Sequence, residues 1–133
     1  MKITNYLLEI EGIDKCGKDI LTTYIHKLSN FKYVINVRGI LSNLVYNDKF
    51  NRQVEYDVYY KPIIIYLDVE EDDRLIRCSL TKEPEIDANL DRLLFEKYIK
   101  ILENKGITIF RYNTSKMTPY QIAKDFLKTI NNT

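Results

Sequence analysis

The sequence predicts an α/β fold, a short parallel sheet of about four strands flanked by helices, and three observations predict it. Residues 62–68 hold an unbroken apolar run from Ile63 to Leu67, the pattern of a parallel strand covered on both faces. Strand-like and helix-like patterns alternate in the order β-α-β-α-β-α-α-β-α, which implies parallel strands joined by crossovers. A first strand also runs directly into a glycine-bracketed turn and then an amphipathic helix.

Residues 6–11 read as that strand and 12–18 as the turn. The helix after it extends to about residue 29, with Leu21, Tyr24, Ile25 and Leu28 on one face. A second strand is expected over 32–37 and a helix from 40 to about 47, followed by a polar segment reaching Tyr60. After the strand at 62–68, helical spacing covers 71–80 and 89–104, the latter carrying Leu90, Leu93, Leu94, Ile101 and Leu102. Gly106 stands where a C-terminal cap belongs. The last strand, 107–112, leads to a helix start with Thr118 as N-cap, Pro119 at the first helical position and Gln121 completing a capping box. Ile122, Phe126, Leu127 and Ile130 form that helix's apolar face. No repeat, linker or low-complexity tract interrupts the chain, so residues 1–133 read as one domain.

The 133 residues can bury a core without disulfides or metal. A net charge of +1 without a long basic run gives no case for nucleic-acid binding, and no apolar run is long enough to span a membrane. Glu9 and Glu11 interrupt the N-terminal segment before a signal-peptide core can form. Two cysteines, Cys16 and Cys78, fit a reducing compartment, so a cytoplasmic location is expected. Abundant Ile, Asn, Lys and Tyr point to an AT-rich genome, such as that of a phage or a low-GC bacterium.

The turn carries the chemistry. Gly12-Ile13-Asp14-Lys15-Cys16-Gly17-Lys18 matches the G-x-x-x-x-G-K core of a P-loop, and with it the fold class becomes the three-layer P-loop NTPase fold. Glycines let successive N–H groups point inward, the following helix presents its positive end, and Lys18 reaches phosphate oxygens as a point charge. Alternatively, the glycines serve only a tight strand-to-helix turn. One position departs from the motif: Asp19 stands where a Ser or Thr hydroxyl ligates Mg²⁺. A carboxylate can hold Mg²⁺, but at roughly 5 Å and an effective dielectric of about 20 it repels a phosphate charge by about 3 kcal/mol. It could also compete with phosphate for the helix N–H groups.

The stretch Leu8-Glu9-Ile10-Glu11-Gly12 with the loop resembles the opening of the thymidylate kinase family, P-loop kinases that move the γ-phosphoryl of ATP to dTMP. Val37-Arg38-Gly39, followed by Ser42 and Tyr46, resembles that family's Asp-Arg-aromatic motif, and the strand at 62–69 with Arg77 behind it resembles its next core strand. Tyr98 and the closing strand-helix pair align as well, so the likeness covers nearly the whole chain. It implies ATP with Mg²⁺ on the loop residues Gly12, Asp14, Lys15, Cys16, Gly17, Lys18 and Asp19. It also implies Lys18, Arg38 and Arg77 as catalytic cations, Asp19 as the metal ligand, and dTMP or another deoxynucleoside monophosphate as acceptor.

The departures fall at working positions. Val37 replaces the family's aspartate, and the segment that would carry the acceptor pocket between the loop and Arg38 is missing. The region after Arg77 is shortened, leaving Lys82 and Arg92 as phosphate-facing candidates. Each candidate keeps a plainer alternative. Arg38 reads equally as a surface arginine at a strand end, Arg77 as a solvated helix residue, and Asp68 as a strand-end carboxylate rather than a metal-binding one. Cys16 lies among cations at a helix start, where a lowered thiol pKa is expected, and His26 reads as a helix-face residue. Tyr56, Tyr59 and Tyr60 stack a base or, preferably, cover the sheet edge uncovered by the deletion. Two functions remain open. One is a minimal deoxynucleotide kinase; the other is a degenerate kinase that binds a nucleotide and acts through a protein partner or a second copy of itself.

Overall fold

Among the described residues of the computed structural model (6–13, 16–53, 60–81 and 88–131), four strands and five helices follow the expected order. They are β1 (Leu7–Gly12), α1 (Lys18–Leu28), β2 (Val34–Val37), α2 (Ile40–Lys49), β3 (Ile63–Asp68), α3 (Glu71–Leu80), α4 (Asn89–Asn104), β4 (Ile109–Asn113) and α5 (Pro119–Asn131). The sheet is wholly parallel in the order β2-β1-β3-β4, so β1 lies between β2 and β3. β2 is two residues shorter than expected. The chain leaves α1 through Asn30 and Phe31, both with left-handed backbones, and Phe31 N–H closes back on the His26 carbonyl at 2.8 Å. Only at Val34 does it meet β1, donating to the Tyr6 carbonyl.

Alternation along the strands sorts the sheet into two faces. Ile10, Ile65 and Phe110 share one row. Phe110 meets Phe126 of α5 edge-on at 5.1 Å, and Tyr112 donates to Asp125 of α5 at 2.7 Å. Since α1 packs on α5, these two helices cover that face. Glu11, Tyr66 and Arg111 form the neighbouring row on the opposite face. There Tyr66 packs on Phe95 of α4, and Arg111 pairs with Glu96 of α4 at 2.7 Å. α2 completes this layer, fastened to α4 by the Tyr98 hydroxyl on Asp48 (2.6 Å) and by the Lys49–Asp91 pair (2.7 Å). The result is a three-layer α/β fold.

The helix ends obey their sequence signals. Gly106 closes α4 with paired bonds, its own N–H to Glu103 and the Ile107 N–H to Leu102, while Ile107 and Leu102 are both buried. At α5, Thr118 and Gln121 exchange side-chain and backbone bonds at 2.9 and 3.2 Å, the reciprocal capping box. No helix among the described residues is long and apolar enough to cross a membrane.

Candidate functional site

The loop after β1 sits at the C-terminal edge of the sheet, against the end of β3. Gly12 has φ 147°, and a Cβ there would overlap the Leu67 carbonyl oxygen and lie 2.8 Å from Cys16 Sγ. Gly17 has φ 93° but open space around it, so backbone conformation alone selects glycine at that position. Gly17 caps α1 without a side-chain bond, and helix bonding begins with Leu21 N–H on the Gly17 carbonyl. Gly17 thus offers the first-turn N–H groups no side-chain acceptor. The Lys18 ammonium folds back over the loop, donating to the carbonyls of Ile13 at 2.9 Å and Gly12 at 3.1 Å, with Cys16 Sγ at 3.5 Å.

α2 starts differently. Glu9 and Glu11, both fully buried on β1, point at its first turn. Glu9 accepts the Ile40 N–H at 2.8 Å and the Tyr60 hydroxyl at 3.0 Å. Glu11 accepts the N–H groups of Gly39 (2.9 Å) and Ser42 (3.0 Å) and the Ser42 hydroxyl. Burial pushes the Glu11 carboxyl up, the Ser42 and Gly39 bonds pull it down, and the charge of Glu9 pushes it up again; the net direction is upward. Burial and the Glu9 bond push the Tyr60 hydroxyl up to about 12. The helix start that stands beside the loop is thus satisfied by the chain's own carboxylates. Sequence reasoning missed this pair. The signal was present as two glutamates two residues apart in a strand that is otherwise apolar, but alternation of that kind ordinarily marks a solvent face.

Arg38 joins β2 to α2 with φ 69°, a conformation costly for a residue with a side chain. Its N–H holds the Ile10 carbonyl at 2.9 Å, and its guanidinium donates to the Tyr46 hydroxyl at 3.2 Å and lies 5.5 Å from that ring. Arg38 is near enough to Cys16 for its charge to act on the thiol. The structure therefore gathers Gly12, Cys16, Gly17, Lys18 and Arg38 at one edge. The expected lowering of the Cys16 pKa is corrected: burial pushes the thiol up and outweighs the charges of Lys18 and Arg38, because the side chain lies inside the core. Asp19 is exposed on the first turn of α1. Asp14 and Lys15 fall outside the described residues, as do Tyr56, Tyr59 and Lys82.

Asp68 follows Leu67, whose carbonyl packs on Gly12, and so stands beside the loop. Its Oδ1 accepts the Val69 N–H at 2.8 Å and Arg92 Nε at 3.3 Å. Arg92 also donates to Glu71 at 2.7 Å and to the Val69 carbonyl at 2.7 Å. Burial pushes the Glu71 carboxyl up, but the bonds from Arg92 and Arg74 prevail and hold it below its ordinary value. Arg77 is not simply solvated: it donates to the Thr114 hydroxyl (3.2 Å) and carbonyl (3.3 Å), and Thr114 in turn bonds the Asp68 carbonyl. Arg77 thus reaches the same edge through Thr114. His26 stacks on Phe31 at 5.1 Å, on the far end of α1. Asp68 also borders a cleft of about 270 Å³ beneath α4, with Tyr66, Glu96, Arg111 and Asn113.

No family model matches the chain. The chain is similar to YorR. Over 123 residues it is 25% identical to the SPbeta prophage-derived uncharacterized protein YorR of Bacillus subtilis (strain 168), a match covering 85% of this chain and 74% of YorR. Its fold is also similar to the crystal structure of the Bacillus subtilis YorR protein in complex with phosphorylated GDP, with a TM-score of 0.70. That match covers 93% of this chain and 95% of the other at 19% identity, so it speaks for the fold.

Proposed function

We propose that this chain binds a nucleotide by its phosphates at loop 12–18, with Lys18 as the principal cation and Arg38 beside it. The observation that carries the reading is the Lys18 ammonium, held over the loop carbonyls at the positive end of α1, where Gly17 supplies no side-chain cap. A charged phosphate oxygen is a stronger acceptor than the neutral carbonyls of Gly12 and Ile13 and draws the ammonium to itself. The YorR complex with phosphorylated GDP supports a nucleotide as the ligand of this fold, and makes GDP the first probe.

Phosphoryl transfer in the manner of thymidylate kinase is a weaker proposal. Position 37 is a valine on the short edge strand β2, and the adjoining α2 start faces Glu9 and Glu11, whose charge opposes an acceptor phosphate. ATP-dependent transfer to dTMP or another deoxynucleoside monophosphate is therefore expected to be slow at most. Calorimetric titration of GDP and ATP into the wild type and Lys18→Ala tests the binding reading. The wild type should bind at least one of them, and the variant about tenfold to a hundredfold more weakly. Absence of binding by the wild type would reduce the loop to a turn.

A further inference from the structure

We propose that the cleft between α4 and the β3–β4 edge of the sheet is a second binding site, one that takes a small uncharged ring bearing an imide, a donor N–H between two carbonyl acceptors. The proposal does not depend on what loop 12–18 holds.

The cleft has a volume of about 270 Å³ and is lined by Tyr66, Asp68, Glu96, Arg111, Tyr112 and Asn113. Its floor is the sheet. Tyr66 and Asp68 lie two residues apart on β3 and share a face, and the parallel register sets Arg111 beside Tyr66 and Asn113 beside Asp68. Tyr66 is 2% exposed, yet its hydroxyl has no hydrogen-bond partner among the described residues. A buried tyrosine hydroxyl ordinarily finds one. Burial, and then the charges of Asp68 and Glu96, push this hydroxyl well above its ordinary value, so it keeps its proton and serves as a donor. Asp68 is the charge that acts on it most strongly, which sets the hydroxyl toward the Asp68 end of the cleft.

Asp68 supplies the acceptor. Its Oδ1 is taken by the Val69 N–H and Arg92 Nε, whereas Oδ2 accepts no bond among the described residues, and the side chain is 41% exposed. Asn113 supplies a second donor. Its Oδ1 accepts the Ser115 N–H at 2.8 Å, which turns the amide nitrogen the other way, and that nitrogen has no partner among the described residues. Along the floor the order is therefore donor, acceptor, donor, from Tyr66 through Asp68 to Asn113. Its complement is an acceptor, a donor and an acceptor in one plane, the edge of an imide. The charges around it cancel in pairs: Glu96 holds Arg111 through both oxygens, at 2.7 and 3.0 Å, and Arg92 faces Asp68. An anion would meet the Asp68 carboxylate, and no group of three side chains suited to a metal ion stands among the described residues. An uncharged ligand is left, and a cleft just below the range of drug-sized sites suits one ring rather than a whole nucleotide.

The experiment is an NMR titration of the full chain with uridine, whose only ring N–H is the imide, and with uridine methylated on that nitrogen, repeated on Tyr66→Phe. Uridine should bind the wild type in about the millimolar range, as a small ligand with few contacts does, and should shift the amide signals of residues 111–113. Methylation of the imide and Tyr66→Phe should each weaken binding by about threefold to tenfold, the worth of one hydrogen bond. Because the hydroxyl has no partner to lose, Tyr66→Phe should leave the urea midpoint unchanged or raise it. A midpoint that falls would show the hydroxyl to be structural and overturns the proposal. So does a folded Tyr66→Phe that binds uridine like the wild type. Absence of uridine binding by the wild type overturns it too, as does equal binding of uridine and its methylated form, a comparison that stands whether or not the variant folds.

Discussion

The Glu9 carboxylate fills the space in which a side chain at Gly39 would begin: a Cβ built on Gly39 overlaps it directly. The same carboxylate accepts the N–H of the next residue, Ile40, at 2.8 Å, so the strand residue and the helix start are fitted to one another. The φ of Gly39 is −154°, outside the left-handed region, and the Glu9 carboxylate fills the space that a larger residue would need.

Gly39→Ala should therefore destabilise the fold by about 1–3 kcal/mol through overpacking. Glu9→Ala should cost about 1–3 kcal/mol by leaving the Ile40 N–H unpaired. Together they should cost less than their sum, because removal of the carboxylate makes room for the added methyl. A double-mutant cycle of urea unfolding measures the coupling. Additivity within about 0.5 kcal/mol would mean that the two residues do not compete for one space.

Glu11 gives a pH signature. Its carboxyl is raised above the ordinary 4.5 chiefly by burial. The folded state thus binds a proton more readily than the unfolded state between 4.5 and that raised value. The stability linked to protonation is complete below 4.5 and lost as pH rises through the raised value. Lowering the pH from about 7 to about 5 should stabilise the wild type relative to Glu11→Gln, which has no proton to gain. Asp48 and Glu71 are shifted the other way, so their contributions fade only at lower pH, as it falls below their ordinary 3.8 and 4.5. Urea midpoints of both proteins at the two pH values provide the check, and a gap that does not move with pH would refute it.

Asp19→Thr should strengthen nucleotide binding by removing a negative charge from the first turn beside the loop. Because Asp19 is exposed, solvent screens the repulsion, and a gain of about threefold to tenfold is expected. Turnover toward dTMP should stay poor, since Val37 and the carboxylates at α2 are unchanged and misplacement of an acceptor is costly. Titration of GDP or ATP alongside a coupled ADP-release assay reads both parts. Brisk turnover by the wild type would instead establish an active kinase.

Local sequence carried most of the fold. The apolar run of β3, the Thr118–Gln121 capping box and the glycine after α4 each specify their element through interactions within a few residues, and each stands as expected. The start of β2 was less legible. Lys32 and Tyr33 suit a strand, but the left-handed exit from α1 through Asn30 and Phe31 delays the pairing to Val34. For the site, the glycine-lysine spacing located the loop, and the positive φ at Gly12 and Gly17 is the conformation that spacing required.

What the sequence by itself determined is therefore the order of elements and the place of the loop, because hydrophobic period, caps and glycines act over short range. Only the tertiary structure decided how the charges are spent. Glu9 and Glu11 lie far along the chain from Gly39 and Ser42, yet parallel pairing of β1 with β2 brings them beneath the start of α2. Asp68 and Arg92 meet only because α4 returns across the end of β3. A carboxylate looks the same in sequence whether it caps a helix, holds a metal or is neutralised by arginine; its partner is chosen by packing between distant segments, and that choice has no local signature.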